Sequence, residues 1–108
     1  MYRRGTIVLV PFPFTDLSGN KVRPAVIISV GKVGGDVVVL FLTSQAKSKG
    51  LSLVSVTPTP ENGLKVASKI VCTKIATLDS KVVLGELGTL SEITLAEVDA
   101  QLRNVLGL

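Results

Sequence analysis

The longest unbroken apolar run in this 108-residue chain is Val37 to Leu42, only six residues long. A helix that crosses a bilayer needs about 20 apolar residues. A run this short, rich in β-branched side chains and closed by Phe41 and Leu42, reads as a strand over Asp36 to Leu42. It shows no polar alternation, so the strand is expected to bury both faces. A chain built around such a strand must supply cover on both sides of it.

The rest of the sequence is cut into blocks of similar length. Thr6 to Val10 is a strand candidate, ended by Pro11 and Pro13, which lack the N–H that a ladder needs. Thr15 to Lys21 collects Asp, Ser, Gly and Asn and reads as a loop. A second strand is expected from about Arg23 to Val30, with Pro24 at its opening. Gly34-Gly35 tolerates positive φ at both central turn positions and predicts a hairpin. Thr43 to Gly50 reads as a loop, Leu51 to Thr57 as a strand, and Pro58 to Gly63 as turn chemistry. Lys69 to Ile75 is a fifth strand and Lys81 to Leu87 a possible sixth.

The C-terminus changes period. Leu95, Val98, Leu102, Val105 and Leu106 fall on one helical face. Thr94 and Glu97 fit a capping box, Ile93 and Val98 a hydrophobic staple, and Gly107 a C-terminal stop. Five or six short strands followed by one helix favour a small barrel, because closure removes the edges that a small sheet exposes. The length and the absence of any linker predict one domain, 1–108.

Missing residues narrow the chemistry. The chain has no histidine and no tryptophan, and its single cysteine is Cys72. Imidazole acid–base catalysis is therefore excluded, as is a four-ligand zinc site within one chain. No carboxylates show metal-ligand spacing, so no metal and no cofactor are expected. Cys72 reads as a small buried apolar residue, and one free cysteine suits a reducing cytoplasm. The N-terminus shows no signal-peptide pattern.

Charge is unevenly spread. The whole chain carries 12 Lys and Arg against 8 Asp and Glu. Residues 1–74 hold ten of the bases and three of the acids, a balance of +7; residues 75–108 hold two and five, a balance of −3. A basic body suggests a polyanionic partner; ordinary solubilising charge is the plainer explanation. Four features then stand out. Arg23 precedes Pro24 at a strand entry, and its forked guanidinium suits phosphate. Thr43-Ser44-Gln45 follows the buried strand, although polar turn side chains often only cap backbone groups. Phe12 and Phe14 alternate with prolines before Lys21, which suits either base stacking or a plugged core. Ser68-Lys69 with Thr73 and Lys74 is a weaker basic and hydroxyl cluster. These features alone support a small basic β-barrel that binds anions or nucleic acid.

The run GTIVLVPFPFTDLSGNKVRPAVIIS resembles the start of the MazF/PemK family of toxin endoribonucleases. The resemblance continues through VVVLFLTSQ, GLKVASKIV and IATLD and into GELGTLSEITLAEVDAQLRNVLGL. It implies a mainly β fold, a small SH3-like barrel of five to seven strands with a C-terminal α-helix. It implies a cytoplasmic homodimer that cuts single-stranded RNA at particular sequences without a metal and is held by a cognate acidic antitoxin. The 2′-hydroxyl would attack the neighbouring phosphorus, leaving a 2′,3′-cyclic phosphate and a 5′-hydroxyl. The catalytic arginine and threonine of the family match Arg23 and Thr43. The RNA groove would take Phe14, Thr15, Asp16, Ser18, Asn20, Lys21, Ser44, Gln45 and Ser68. Some branches place a histidine or an aspartate near the scissile phosphate, and this chain has no histidine to offer. An alternative is a non-catalytic SH3-like barrel that binds RNA, or a CcdB-like gyrase poison. The gyrase poisons use a C-terminal tryptophan, which this chain lacks. The apolar fraction of 46% also suits a dimer, since a small monomer with a large apolar face would be sticky.

Overall fold

The computed structural model describes residues 2–11, 21–31, 35–45, 50 and 52–108. Six strands and one long helix follow in order: β1 Thr6–Pro11, β2 Val22–Ile27, β3 Asp36–Thr43, β4 Leu53–Val56, β5 Ser68–Asp79, β6 Gly85–Thr89 and α1 Glu92–Leu106. They form one antiparallel sheet in the order β4-β5-β3-β2-β1-β6. The sheet curls into a half-barrel with α1 packed on β4 and β5. This is the mainly β fold with a C-terminal helix expected from the resemblance. Among the described residues no helix is long and apolar enough to cross a membrane.

Strand β3 buries both faces, as its composition required. Leu40 and Leu42 enter one core with Ile7, Val26, Ile70 and Cys72, and α1 adds Val98 and Leu102 to it. Val37, Val39 and Phe41 enter a second core with Val8, Val10, Ala25 and Ile27. One long strand serves both cores. β5 pairs Phe41 with Val71 but Leu40 with Ile75, so Cys72, Thr73 and Lys74 form a bulge. Bulges bend a strand and re-aim its side chains. Ile70, before the bulge, and Cys72, at its start, point into the first core; beyond it Ala76 and Leu78 point into the second. The fifth strand thus runs past Ile75 to Asp79, further than its composition suggested.

The segment from Lys81 corrects the sequence reading. Ser80–Val82 is a turn of 3-10 helix, opened by the Asp79 carboxylate accepting from Lys81 N at 2.9 Å. The sixth strand starts only at Gly85. The Asp79 side chain offers the backbone a local partner, which breaks the run that apolar content alone would have extended.

The helix cap also sits earlier than the spacing of Thr94 and Glu97 implied. Ser91 is the N-cap, its Oγ accepting from Thr94 N at 3.1 Å. With Ser91 as cap, the staple pair becomes Leu90 and Leu95, both packed in the first core. Ile93 is 77% exposed and takes no part. Gly107 ends the helix at φ 71, its N–H donating to Arg103 O, as its position predicted. The basic N-terminus fastens this helix to the sheet. Arg4 Nε donates to Ile28 O at 2.9 Å, and its guanidinium pairs with Asp99 on α1.

The half-barrel is closed by backbone contact between the Thr57–Leu64 connector and β6. Asn62, only 4% exposed, organises the connector. Its Oδ1 accepts from Thr59 N at 3.0 Å and Leu64 N at 2.9 Å, and its Nδ2 donates to Thr57 O at 2.9 Å. Thr89 N then donates to Glu61 O at 2.8 Å. Glycine allows the approach: a Cβ on Gly88 would meet Glu61 O at 2.2 Å, and one on Gly63 would meet Leu87 O at 2.1 Å. We expect Gly88→Ala to cost about 1–3 kcal/mol of stability, as other overpacked sites do. Urea denaturation measures this, and a wild-type midpoint would refute the seal.

Candidate active site

Antiparallel pairing brings five strand ends to one rim. They are the end of β1, the start of β2, the end of β3, the end of β4 and the start of β5. Arg23 stands at this rim, half-buried, opposite Val10. The β2–β3 ladder pairs Ala25 with Phe41, Val26 with Leu40 and Ile27 with Val39. Extending that register by two residues sets Arg23 opposite Thr43. Directly opposed residues of an antiparallel pair project from the same face. Pro24 has no N–H to give, and the ladder stops short of the two side chains.

Thr43 is held on its other side by Lys69 of β5, its partner in register. Its Oγ1 accepts from Gln45 N at 3.2 Å. A hydroxyl whose oxygen accepts from the backbone still has its proton to donate. The Thr43 proton is thus disposed toward an anion at the rim.

Two clefts open here. The first, about 520 Å³, is lined by Lys21, Val22, Arg23, Pro24, Ser44, Lys65, Ser68 and a group of leucines. The second, about 320 Å³, is lined by Thr43, Ser44, Gln45, Ser55, Thr57, Ser68 and Lys69. Ser44 and Ser68 border both. Lys21, Arg23, Lys65 and Lys69 line them, and among the described residues no acidic side chain does. Clustered cations in a concave wall focus a positive potential and attract polyanions.

Of the residues expected in the groove, Arg23, Thr43, Lys21, Ser44, Gln45 and Ser68 gather at this rim. Phe14, Thr15, Asp16, Ser18 and Asn20 lie outside the described residues, as does Phe12. From the weaker cluster, Lys69 joins the site. Thr73 and Lys74 sit on the β5 bulge and line neither cleft. Lys65, Ser55 and Thr57 were not singled out from the sequence. Ser55 is placed by its pairing with Lys69 of β5, and Thr57 and Lys65 lie in the connector between β4 and β5; each is an ordinary polar residue in its own segment. Among the described residues no three of His, Cys, Asp and Glu come together as a metal site would need.

The single thiol plays no part at the rim. Cys72 is fully buried in the first core, and burial pushes its pKa above the ordinary 9.0. Its contribution to stability is therefore complete below pH 9.0 and falls as the pH rises toward its folded pKa. At pH 8 we expect iodoacetamide to label Cys72 only after denaturant is added. Rapid labelling of the native protein would contradict its burial.

A curled half-barrel with a basic, hydroxyl-lined rim is a surface that attracts polyanions. The family model described as the PemK-like, MazF-like toxin of type II toxin–antitoxin systems matches residues 3–106. The chain belongs to that family of toxin endoribonucleases. Comparison with curated proteins gives no match. Among solved structures the chain is similar to MazF from Deinococcus radiodurans, at 25% identity and TM-score 0.78, with 99% of this chain and 97% of that one covered. It is also similar to an endoribonuclease in complex with its cognate antitoxin from a mycobacterial species, at 23% identity and TM-score 0.76, covering 100% and 97%. A third is the Mycobacterium tuberculosis toxin MazF-mt6, at 20% identity and TM-score 0.75, covering 95% and 97%.

Proposed function

We propose that the chain, acting as one domain over 1–108, is the toxin that cuts single-stranded RNA at the rim holding Arg23 and Thr43. The observation that carries this reading is the β2–β3 register, which, continued two residues past Ala25 and Phe41, sets Arg23 opposite Thr43 beside the basic clefts. The reaction is sequence-specific and needs no metal. The substrate's 2′-oxygen bonds to phosphorus, the bond to the 5′-oxygen breaks, and the products are a 2′,3′-cyclic phosphate and a 5′-hydroxyl.

Arg23 keeps its proton at ordinary pH, so it is not the base. It neutralises the charge that builds on the phosphorane oxygens and hydrogen-bonds the departing 5′-oxygen, while the 2′-hydroxyl proton passes to water and water returns a proton to the 5′-oxygen. Thr43 donates its hydroxyl proton to a phosphate oxygen and fixes the phosphate for in-line attack. Well-placed donors of this kind contribute roughly 3–4 kcal/mol each. The protein works in the cytoplasm as a homodimer, with a cognate acidic antitoxin competing for the same cations. Light scattering tests the dimer; a monomer at micromolar concentration would exclude it.

The deciding experiment incubates mixed-sequence RNA with pure protein in EDTA and maps the ends. We expect cyclic phosphate at one end and hydroxyl at the other. Arg23→Ala should slow cleavage by about 10²–10³-fold, and Thr43→Ala should also slow it. An all-deoxy oligonucleotide should survive intact, since it lacks the nucleophile. Cleavage that requires a divalent ion, or that persists at full rate in Arg23→Ala, would overturn the assignment.

A further inference from the structure

We propose that the cleft on the Arg23 side of the rim is a nucleobase subsite, and that Ser68 selects its occupant through the polarity of its hydrogen bond. This deepens the endoribonuclease reading and rests on it for the identity of the ligand as RNA. The selection argument rests on separate observations.

The cleft, about 520 Å³, lies within the range of about 300–1,000 Å³ common to small-ligand sites. Its walls are apolar, with Leu9, Leu42, Leu64 and Leu87 facing the Pro24 edge. Such walls suit the flat face of a base. The rim carries Lys21, Arg23 and Lys65, so a base lodged inside keeps its phosphate among cations. The second cleft begins on the far side of Ser44 and Ser68 and contains Thr43. A strand of RNA crossing from one cleft to the other passes Arg23 and then Thr43, so the first cleft takes a nucleotide beside the scissile phosphate.

Ser68 is the buried polar group in this otherwise apolar wall, at 6% exposure. Its backbone is fixed opposite Val56 in the β4–β5 ladder. Its Oγ donates to Val66 O at 3.0 Å. A serine hydroxyl has one proton and two lone pairs. With the proton committed to Val66, the oxygen meets the cleft as an acceptor. An acceptor selects a donor: the exocyclic amine of adenine, cytosine or guanine. Uracil has no such amine, and its one ring N–H is recessed between two carbonyl oxygens, so it reaches the Ser68 oxygen only by bringing acceptors alongside it. A uracil carbonyl turned toward Ser68 would set acceptor against acceptor in a desolvated wall, which is costly. An apolar peptide side chain in the same cleft would leave the Ser68 lone pairs without a partner, and it would gain nothing from the rim of cations. These two points favour a base over a peptide.

The test compares kcat/KM for oligonucleotides that differ only at the nucleotide before or after the mapped cleavage point. At one of these two positions we expect wild type to favour an amine-bearing base over uracil by about tenfold, the worth of one good hydrogen bond. Ser68→Ala should bring that ratio close to one, and Ser68→Thr, which keeps the hydroxyl, should retain it. Ratios between substrates are insensitive to a general loss of folded enzyme. In parallel, fluorescence anisotropy reads binding of the same sequences with a 2′-deoxy nucleotide at the cleavage point, so that no reaction intervenes. If wild type cuts RNA but Ser68→Ala keeps the same preference at both positions, the subsite is wrong and the endoribonuclease reading stands. If the deoxy-substituted sequences bind with a Ser68-dependent preference but natural RNA is not cut, the subsite holds and that reading falls. Neither cutting nor binding would overturn both.

Discussion

Everything in this structure depends on β3 having two apolar faces. A strand that is apolar on both sides needs two cores, and a chain of 108 residues has little material with which to build them. The solution is a curled sheet in which one core lies under α1 and the other lies on the opposite face. β5 runs the length of β3 and changes faces at its bulge, so a single strand contributes to both cores. The rigidity this gives β3 is passed to its last residue, Thr43. A hydroxyl at the end of a strand buried on both faces loses little entropy when it meets a ligand, which suits the role proposed for Thr43.

The rim is made from ends, and ends are where ladders fail. Pro24 has no N–H to give, and the β2–β3 ladder begins only at Ala25 and Phe41. Backbone pairing that stops short leaves side chains to meet a ligand in place of one another. The same economy appears at the closing seam. Asn62 supplies three hydrogen bonds to its own connector, and Gly63 and Gly88 let two backbones touch where no strand pairing joins β4 to β6. That seam holds the Gly63–Lys65 wall of the first cleft in place.

The lack of histidine is a statement about mechanism. With no imidazole to move protons, the reaction proposed above draws on a permanent cation, a hydroxyl and the nucleophile that RNA carries itself. The charge asymmetry of the sequence has a structural share as well. Arg4, counted among the bases of the body, is spent on Asp99 of the acidic helix and on the carbonyl of Ile28. Arg23 and the lysines of the rim are the part of that charge that lines the two clefts.

The sequence by itself determined most of the strands and the helix, and it singled out Arg23 and Thr43, the two leading candidates at the rim. Strand composition, turn residues and a helical period are local properties, and Arg23-Pro24 and Thr43-Ser44 are local motifs. It misplaced the helix cap by three residues and began the sixth strand too early. In both cases a side chain, Ser91 or Asp79, bonded to nearby backbone and outweighed the apolar pattern. Tertiary structure alone decided which distant residues meet. Lys65 was not singled out from the sequence, and Ser68 and Lys69, which were, reach the rim through the register of β5 with β4 and β3. The polarity of Ser68 was likewise out of reach, because it is fixed by where the hydroxyl proton goes. Register and hydrogen-bond direction are properties of pairs, and a sequence lists residues one at a time.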